Sequence, residues 1–262
     1  MQKIDFFEDG LKSHSKSRKP GGFWESFRTV AYAILIAVGV RTFAYEPFNI
    51  PSGSMYPTVL VGDYLFVSKL SYGYSRYSLP YSIPLFSGRI FSSEPERGDV
   101  VVFRHPREPD VNYIKRLIGL PGDRIQAIDG ILHVNGEAVQ RRRIDDFVSV
   151  DQDSGTRGIP QFIVTLPGGR EHRSLEESDD KPFDNTPVYE VPAGHYFMMG
   201  DNRDNSIDSR VEMSAGVGMV PAENLVGKAE IIMFSWTPGA SLFNPVSWFA
   251  NVRFSRFFKI LD

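Results

Sequence analysis

The sequence predicts a mostly β protein preceded by a single N-terminal apolar helix. Two observations support this fold class. The only long apolar run lies in residues 23–45, and the chain after it divides into short β-branched and aromatic runs bounded by Gly, Pro and Asp. The 262 residues, 42% of them hydrophobic and 23% charged, have the composition of a globular protein with one or two domains. A net charge of -3 gives no reason to expect a nucleic-acid partner.

The N-terminal part is predicted to be a basic tail, residues 1–22, followed by a transmembrane helix, residues 23–45. The uncharged centre of the run covers only residues 29–40, whereas a membrane span needs roughly 20 residues. The span is long enough if Arg28 and Arg41 extend their side chains to the two interfaces, where aromatic residues also lie.

Basic residues precede this run, which predicts a cytoplasmic N-terminus and an exported domain of residues 46–262. Two alternatives stay open for the same segment. A cleavable secretory signal could end at the small residues 37–39, and a buried core helix would also be apolar.

Five runs beyond the helix have β-type composition. They are residues 63–68, 98–104, 112–118, 194–199 and 226–236.

The segment of residues 124–192, called the insert below, interrupts these runs. Asn135-Gly136 predicts a hairpin within it. Residues 141–146 look like a solvated charge run, and residues 149–186 are polar and turn-rich, with one β-like piece at 162–164.

A rigid bend, residues 51–58, presents a serine soon after the apolar run; we call it the serine turn. Pro51 and Pro57 each fix φ, and Gly53 permits backbone conformations that other residues resist. Ser54 is therefore held in one direction, as a nucleophile requires. The alternative is an ordinary turn of small residues between two strands.

Two further segments carry unusual polar residues. Lys115 lies within an apolar β-type run, where it is either a lysine reaching solvent or a desolvated lysine that can act as a neutral base. Residues 200–210, called the polar loop below, are rich in side chains that bond their own backbone. A calcium loop is disfavoured by Arg203 and Arg210, so a scaffold that presents Ser206 explains the loop better.

Metal and thiol chemistry is not expected. The sequence has no cysteine, and none of its five histidines belongs to a closely spaced ligand set. A serine, a buried lysine and a polar loop are instead the components of a Ser-Lys hydrolase, which needs neither cofactor nor metal.

Several motifs together make the sequence resemble the bacterial type I signal peptidases, membrane-bound proteases that remove secretory signal peptides. The matching motifs are PSGSM (51–55), PT (57–58), GD (62–63), RGDVVVF (97–103), YIKR (113–116), GLPGD (119–123), GDNRDNS (200–206) and DSR (208–210). They occur in the family's order from the apolar run to the tail, with only loose similarity through residues 140–190.

The resemblance implies a role for each site residue. Ser54 would be the nucleophile and Lys115 the general base, with Ser52 and the Ser54 amide forming the oxyanion hole. Ser206 would orient the lysine. The resemblance further implies bracing roles for Asp201, Arg116, Asp208 and Arg210, and substrate-pocket roles for Phe48, Ile50, Pro51, Met55, Val102, Tyr113 and Ile114.

The resemblance also implies a fold, a substrate and a location. The fold would be an antiparallel β catalytic core, residues 46–123 and 193–262, interrupted by the smaller β-rich lobe of residues 124–192. Substrates would be signal peptides cut after small residues of the Ala-x-Ala type. The enzyme would be a single-pass protein of the bacterial inner membrane, in contact with the lipid bilayer and active on the outer face.

Three departures from the family pattern affect fine specificity. Asn112 replaces the usual Asp, Val59 replaces the usual Leu, and residues 211–219 lack the usual aromatic residues.

Two other functions compete with this one, and the second is disfavoured by the apolar run and by the lack of a basic recognition helix. One is a membrane-tethered, non-catalytic β-domain adaptor, which would have no need for Ser54, Lys115 and Ser206 together. The other is a self-cleaving Ser-Lys repressor, which would be soluble and carry a DNA-binding segment.

Overall fold

The computed structural model describes residues 22–79, 82–151, 155–237 and 251–261. The predicted basic tail therefore lies outside the described residues, except for Gly22. The chain forms two compact units that divide after Val38, and each is described by itself.

One helix, α1 (Phe23–Phe43), contains the apolar run. In the described part of the chain it is the helix whose length and composition would allow it to cross a membrane. It ends two residues earlier than predicted, and Tyr45 already opens the first strand. Pro47 explains the early end, because proline within a helix removes a hydrogen bond and clashes with the preceding turn.

Seventeen strands follow in the described residues. The first nine are β1 (Tyr45–Asn49), β2 (Asp63–Ser68), β3 (Tyr74–Ser75), β4 (Arg89–Ile90), β5 (Val100–Arg104), β6 (Asn112–Gly119), β7 (Arg124–Ile128), β8 (Ile131–Val134) and β9 (Glu137–Ala138). The others are β10 (Gln140–Asp151), β11 (Gly155–Thr165), β12 (Glu171–Leu175), β13 (Tyr189–Glu190), β14 (His195–Met199), β15 (Val220–Pro221), β16 (Leu225–Ser235) and β17 (Lys259–Ile260).

Eight of these strands form the main antiparallel sheet, in the order β1-β2-β16-β5-β6-β14-β15 with β17 beside β16. The five β-type runs of the sequence become β2, β5, β6, β14 and β16, so the mostly β, antiparallel prediction is confirmed. The strands β2, β5 and β16 bury a shared apolar cluster that includes Leu65, Val102 and Ile232. Burial of this kind drives the sheet to fold.

The insert forms two smaller sheets of its own. Strands β13-β7-β8-β9 make one and β10-β11-β12 the other, and no strand of either belongs to the main sheet. The predicted hairpin is confirmed, because Asn135 and Gly136 both adopt positive φ between β8 and β9. Ile125 and Leu132 of the insert pack with Ile118 and Phe197 of the main sheet in one buried cluster.

The polar stretch of the insert differs from its prediction. Residues expected to form a charge run and turns belong to the long hairpin β10–β11, in which Arg141 pairs with Val164. Long arginine side chains account for this, because their aliphatic stems cover apolar surface while their charged ends find partners. The guanidinium carbon of Arg141 lies 4.9 Å from the centre of the Phe162 ring, and its nitrogens donate to Asp179.

Candidate active site

The serine turn is held by both β2 and the polar loop. Ile50 N donates to Asp63 O at 2.9 Å, which fixes the entry to the turn. On the other side, Asn202 N donates to Ser54 O and Asn202 Nδ2 donates to Gly53 O, both at 3.1 Å. The direction of the Ser54 side chain therefore depends on hydrogen bonds that β2 and the polar loop make to the main chain of the serine turn and of Ile50.

Lys115 contacts this serine directly. Its Nζ lies 2.6 Å from Ser54 Oγ, and the residue is only 3% exposed. Strand β6 fixes its position, since Lys115 pairs with Val101 of β5 in the register. Burial is the largest influence on the lysine and lowers its pKa to about 8, against a partial opposing effect of Asp208. A substantial fraction of the amine is thus neutral near physiological pH.

Arg116, the next residue on β6, lies on the opposite face of the strand and forms a buried ion pair. Its Nε and Nη2 donate to the two carboxylate oxygens of Asp201 at 2.9 and 2.8 Å, and both side chains are 1% exposed. Burial alone would raise the pKa of Asp201, but the Arg116 guanidinium outweighs it and keeps the pKa below its usual value. This bidentate pair joins β6 to the polar loop.

A second ion pair stabilises the far end of the polar loop. Arg210 Nε donates to Asp208 Oδ1 at 2.9 Å, and Gly200 N donates to Asp208 Oδ2 at 3.0 Å. The loop is therefore closed on itself through Asp208, as the density of polar residues in its sequence predicts.

Ser206 is brought to the same site by a close approach of main chains. A Cβ atom at Gly200 would lie 2.2 Å from Ser206 Oγ and 2.5 Å from Ser54 O, so only glycine fits there. Ser206 is 7% exposed, and its Oγ has no hydrogen-bond partner among the described residues. The structure thus brings Ser206 to the cavity without a bond to Lys115.

The serine and the lysine open into a cavity of about 530 Å³. Its lining residues are Pro51, Ser52, Ser54, Val111, Asn112, Tyr113, Ile114, Lys115, Phe183, Asp204, Asn205, Ser206 and Ile207.

The predicted substrate-pocket residues fall into two groups. Pro51, Tyr113 and Ile114 line the cavity, as does Ser52. Ile50, Met55 and Val102 lie in the apolar cluster against which both Ile114 and Phe48 pack. The contact of these residues with substrate stays a prediction.

Sequence reasoning missed Phe183, which reaches the cavity from the insert. One signal was available: Phe183 is the only large apolar residue between Leu175 and Val188. A lone aromatic side chain in such a polar stretch indicates either a packing contact or a binding surface.

One group of carboxyl side chains in the described ranges lies close enough to share an ion: Glu176, Asp184 and Asp204. Burial raises the pKa of Glu176 to about 8, with Arg203 acting in the opposite direction. With no ion bound, Glu176 is therefore mostly protonated at neutral pH and can share its proton with Asp184.

A serine in contact with a buried lysine supplies the two groups that a Ser-Lys variant of the serine triad would need. The family model described as "Signal peptidase, peptidase S26" matches residues 23–236. The chain belongs to this signal peptidase family, and it is therefore a serine peptidase.

Individual relatives are similar over nearly the whole chain. Signal peptidase I of Rickettsia typhi is 44% identical over 255 residues, which cover 90% of this chain and 93% of the relative. Signal peptidase I of Rickettsia akari is 42% identical over 270 residues and 97% of both chains. A crystal structure of a signal peptidase I from Enterococcus faecalis is 24% identical and covers 52% of this chain and 97% of its own, with a TM-score of 0.30.

The apolar helix α1 and these relatives fit a membrane-anchored enzyme.

Proposed function

We propose that this chain removes N-terminal signal peptides from exported preproteins, with Ser54 as the nucleophile and Lys115 as the general base. The contact of 2.6 Å between Lys115 Nζ and Ser54 Oγ carries the proposal. A base must lie within hydrogen-bond reach of the proton it takes and must be unprotonated at the working pH. A buried lysine with a pKa of about 8 meets both requirements.

Neutral Lys115 takes the proton of the Ser54 hydroxyl as Oγ attacks the carbonyl carbon of the last residue of the signal peptide. The carbonyl oxygen becomes an oxyanion, to which the Ser54 amide and the Ser52 hydroxyl donate hydrogen bonds. The Lys115 ammonium then gives its proton to the leaving amine of the mature protein, and the C–N bond breaks. Neutral Lys115 then takes a proton from a water molecule that attacks the acyl carbon. The Lys115 ammonium returns a proton to Ser54 Oγ as the ester C–O bond breaks, and the signal peptide leaves with a new carboxyl group.

Five further residues hold this geometry. Arg116 and Asp201 fix β6 against the polar loop, and Asp208 and Arg210 close the loop behind Ser206. Ser206 would donate to or accept from the lysine nitrogen when substrate excludes water from the cavity. Arg116, Asp201, Asp208 and Arg210 would act as positioning residues, whereas Ser206 would contact the base itself.

The substrate would bind as an added strand. Strand β6 pairs with β5 through residues 112–116, whereas its described pairs with β14 begin only at Arg116. The β14-facing edge of residues 112–115 is therefore open where it lines the cavity. An extended peptide can bond to such an edge, and its side chains then alternate between two faces.

Small side chains at the residue before the cut and two residues earlier would fill shallow pockets on one face. The walls would come from Phe48, Ile50, Pro51, Met55, Val102, Tyr113 and Ile114.

The organisation of the chain follows from the same proposal. Residues 23–45 would anchor the enzyme in the bacterial inner membrane, with the tail of residues 1–22 in the cytoplasm. The exported domain, residues 46–262, would consist of the core (46–123 and 193–262) and the inserted lobe (124–192). Ser54 follows the end of α1 by eleven residues, which span at most about 40 Å when extended. The site would then meet a signal peptide still held in the bilayer.

The test is cleavage of a preprotein by the purified full chain in detergent, with Ser54→Ala as the matched variant. Loss of one hydroxyl on the turn should leave the fold intact and abolish product formation. Wild-type turnover by a folded Ser54→Ala protein would refute the mechanism. Normal folding of both proteins with cleavage by neither would favour the adaptor.

A further inference from the structure

Phe183 connects the insert to the cavity and to the polar loop. It lines the cavity together with Asp204 and Ile207 of the polar loop. The guanidinium carbon of Arg210 lies 5.5 Å from the centre of its ring. Arg210 is itself bonded to Asp208, so the ring rests on a side chain that is already fixed.

The backbone that carries Phe183 is rigid. Lys181 N donates to Asp184 Oδ2 at 2.6 Å and Asp184 N donates to Lys181 O at 3.0 Å, so the turn around Phe183 is closed on both sides. Gly130 N donates to Asp184 O at 3.0 Å, which connects the turn to the hairpin β7–β8. The Asp184 residue is only 1% exposed. A side chain on such a turn presents a preformed surface and loses little entropy when it binds.

The cavity also has apolar surface that does not come from β6. Ile207 is 56% exposed and lines the cavity together with the partly buried Phe183. A peptide added to the edge of β6 would direct alternate side chains toward the two walls of the cavity. A side chain directed away from the small-residue pockets would meet Phe183 and Ile207.

We infer that Phe183 and Ile207 form an apolar subsite that binds one non-small, apolar side chain of the preprotein, at a position other than the two small residues. This inference rests on the proposed function. It gives the insert a direct part in substrate selection, because the rigid turn of the insert supplies one wall of the cleft. The occupant is the substrate because the subsite is continuous with the cavity that contains Ser54.

The experiment is a substrate scan by the full chain in detergent. Each position from the fifth residue before the cut to the second after it, other than the two small ones, is set to Leu or to Ser in otherwise identical peptides. In the wild type, one position should favour Leu by roughly tenfold in kcat/KM, the discrimination that partial burial of an apolar side chain gives. Phe183→Ala should reduce that preference to about twofold or less, while Phe183→Leu should retain most of it.

The control is Val148→Ala, which removes an apolar side chain of the insert that is 61% exposed and lies outside the cavity. It should leave the preference unchanged. Phe183→Ala should lower kcat/KM several-fold more on the Leu peptide than on the Ser peptide, which separates a subsite from a structural role. Equal loss of rate on the Leu and Ser peptides, or no preferred position in the wild type, would overturn the inference.

These results differ from those expected if the proposed function itself were wrong. In that case the wild type would cut no peptide, or Ser54→Ala would cut all of them.

Discussion

Raising the pH from 7 to 9 should raise kcat/KM for a preprotein peptide about tenfold, because Lys115 loses its proton over this range. With a pKa of about 8 the amine is neutral in about one molecule in ten at pH 7, against about one in 3,000 at the ordinary value of 10.5. Burial is the main cause of the shift, and it requires about 3 kcal/mol from the folded protein. The rate should level off above pH 9, where nearly every lysine is neutral.

The assay is the initial rate at low peptide concentration between pH 6 and 10, so that kcat/KM reports the free enzyme. Peptides without titratable groups keep the substrate constant. Lys115→Arg should be inactive at every pH, since guanidinium stays protonated. A profile flat between pH 7 and 9, or governed by an ionisation near 10, would refute the assignment of Lys115 as a buried base.

The same ionisation should appear in the stability of the protein. The pKa of Lys115 is lower in the folded protein than in the unfolded chain, so burying its charge costs stability. This cost is complete below pH 8 and fades as the pH rises toward 10.5. Lys115→Met removes the buried charge, and it should raise the free energy of unfolding by about 3 kcal/mol at pH 7. Urea unfolding in detergent measures the difference, which should shrink steadily between pH 8 and 10.5. A difference that does not change between pH 8 and 10.5 would show that folding does not shift the pKa of Lys115.

Two substitutions test the scaffold of the site. Gly200→Ala should lower kcat at least tenfold, because the new methyl group would displace Ser206 or the Ser54 carbonyl; an unchanged kcat in a folded variant would show that the turns can move apart freely. Asp201→Asn should lower the free energy of unfolding by about 3–5 kcal/mol, since it leaves the buried Arg116 charge uncompensated. The control, Asp179→Asn, alters a carboxylate whose side chain is 52% exposed and should cost about 1 kcal/mol or less, and equal losses would contradict the argument from burial.

The sequence alone predicted those parts of the site that are indicated by a few neighbouring residues. Pro51, Gly53 and Pro57 define a rigid turn around Ser54 within a few residues, and Lys115 is conspicuous because its neighbours are apolar. The main strands could be predicted for the same reason. The contact between Ser54 and Lys115 could not, since it joins residues 61 positions apart and depends on the register of β6 against β5.

The contribution of the insert could not be predicted from local patterns. Phe183 is directed into the cavity by bonds of Asp184 with Lys181 and Gly130, and nothing near residue 183 specifies the second partner. Similarly, the hairpin β10–β11 is stabilised by contacts such as that of Arg141 with Asp179, across 38 residues. Charge patterns predict solvent exposure well, but they do not distinguish a loop from an exposed strand.

The neighbouring positions 115 and 116 of β6 place two cations on opposite faces of one strand. Because side chains alternate, sliding β6 by one residue so that Arg116 takes the place of Lys115 would turn its guanidinium toward Ser54 and turn Lys115 to the opposite face. All strands could still pair, yet the serine would face a permanently protonated group. Peptidase activity would therefore depend on the register of this one strand. A molecule in which β6 is shifted by one residue would not cleave substrate, even where its circular dichroism spectrum was that of a folded β protein.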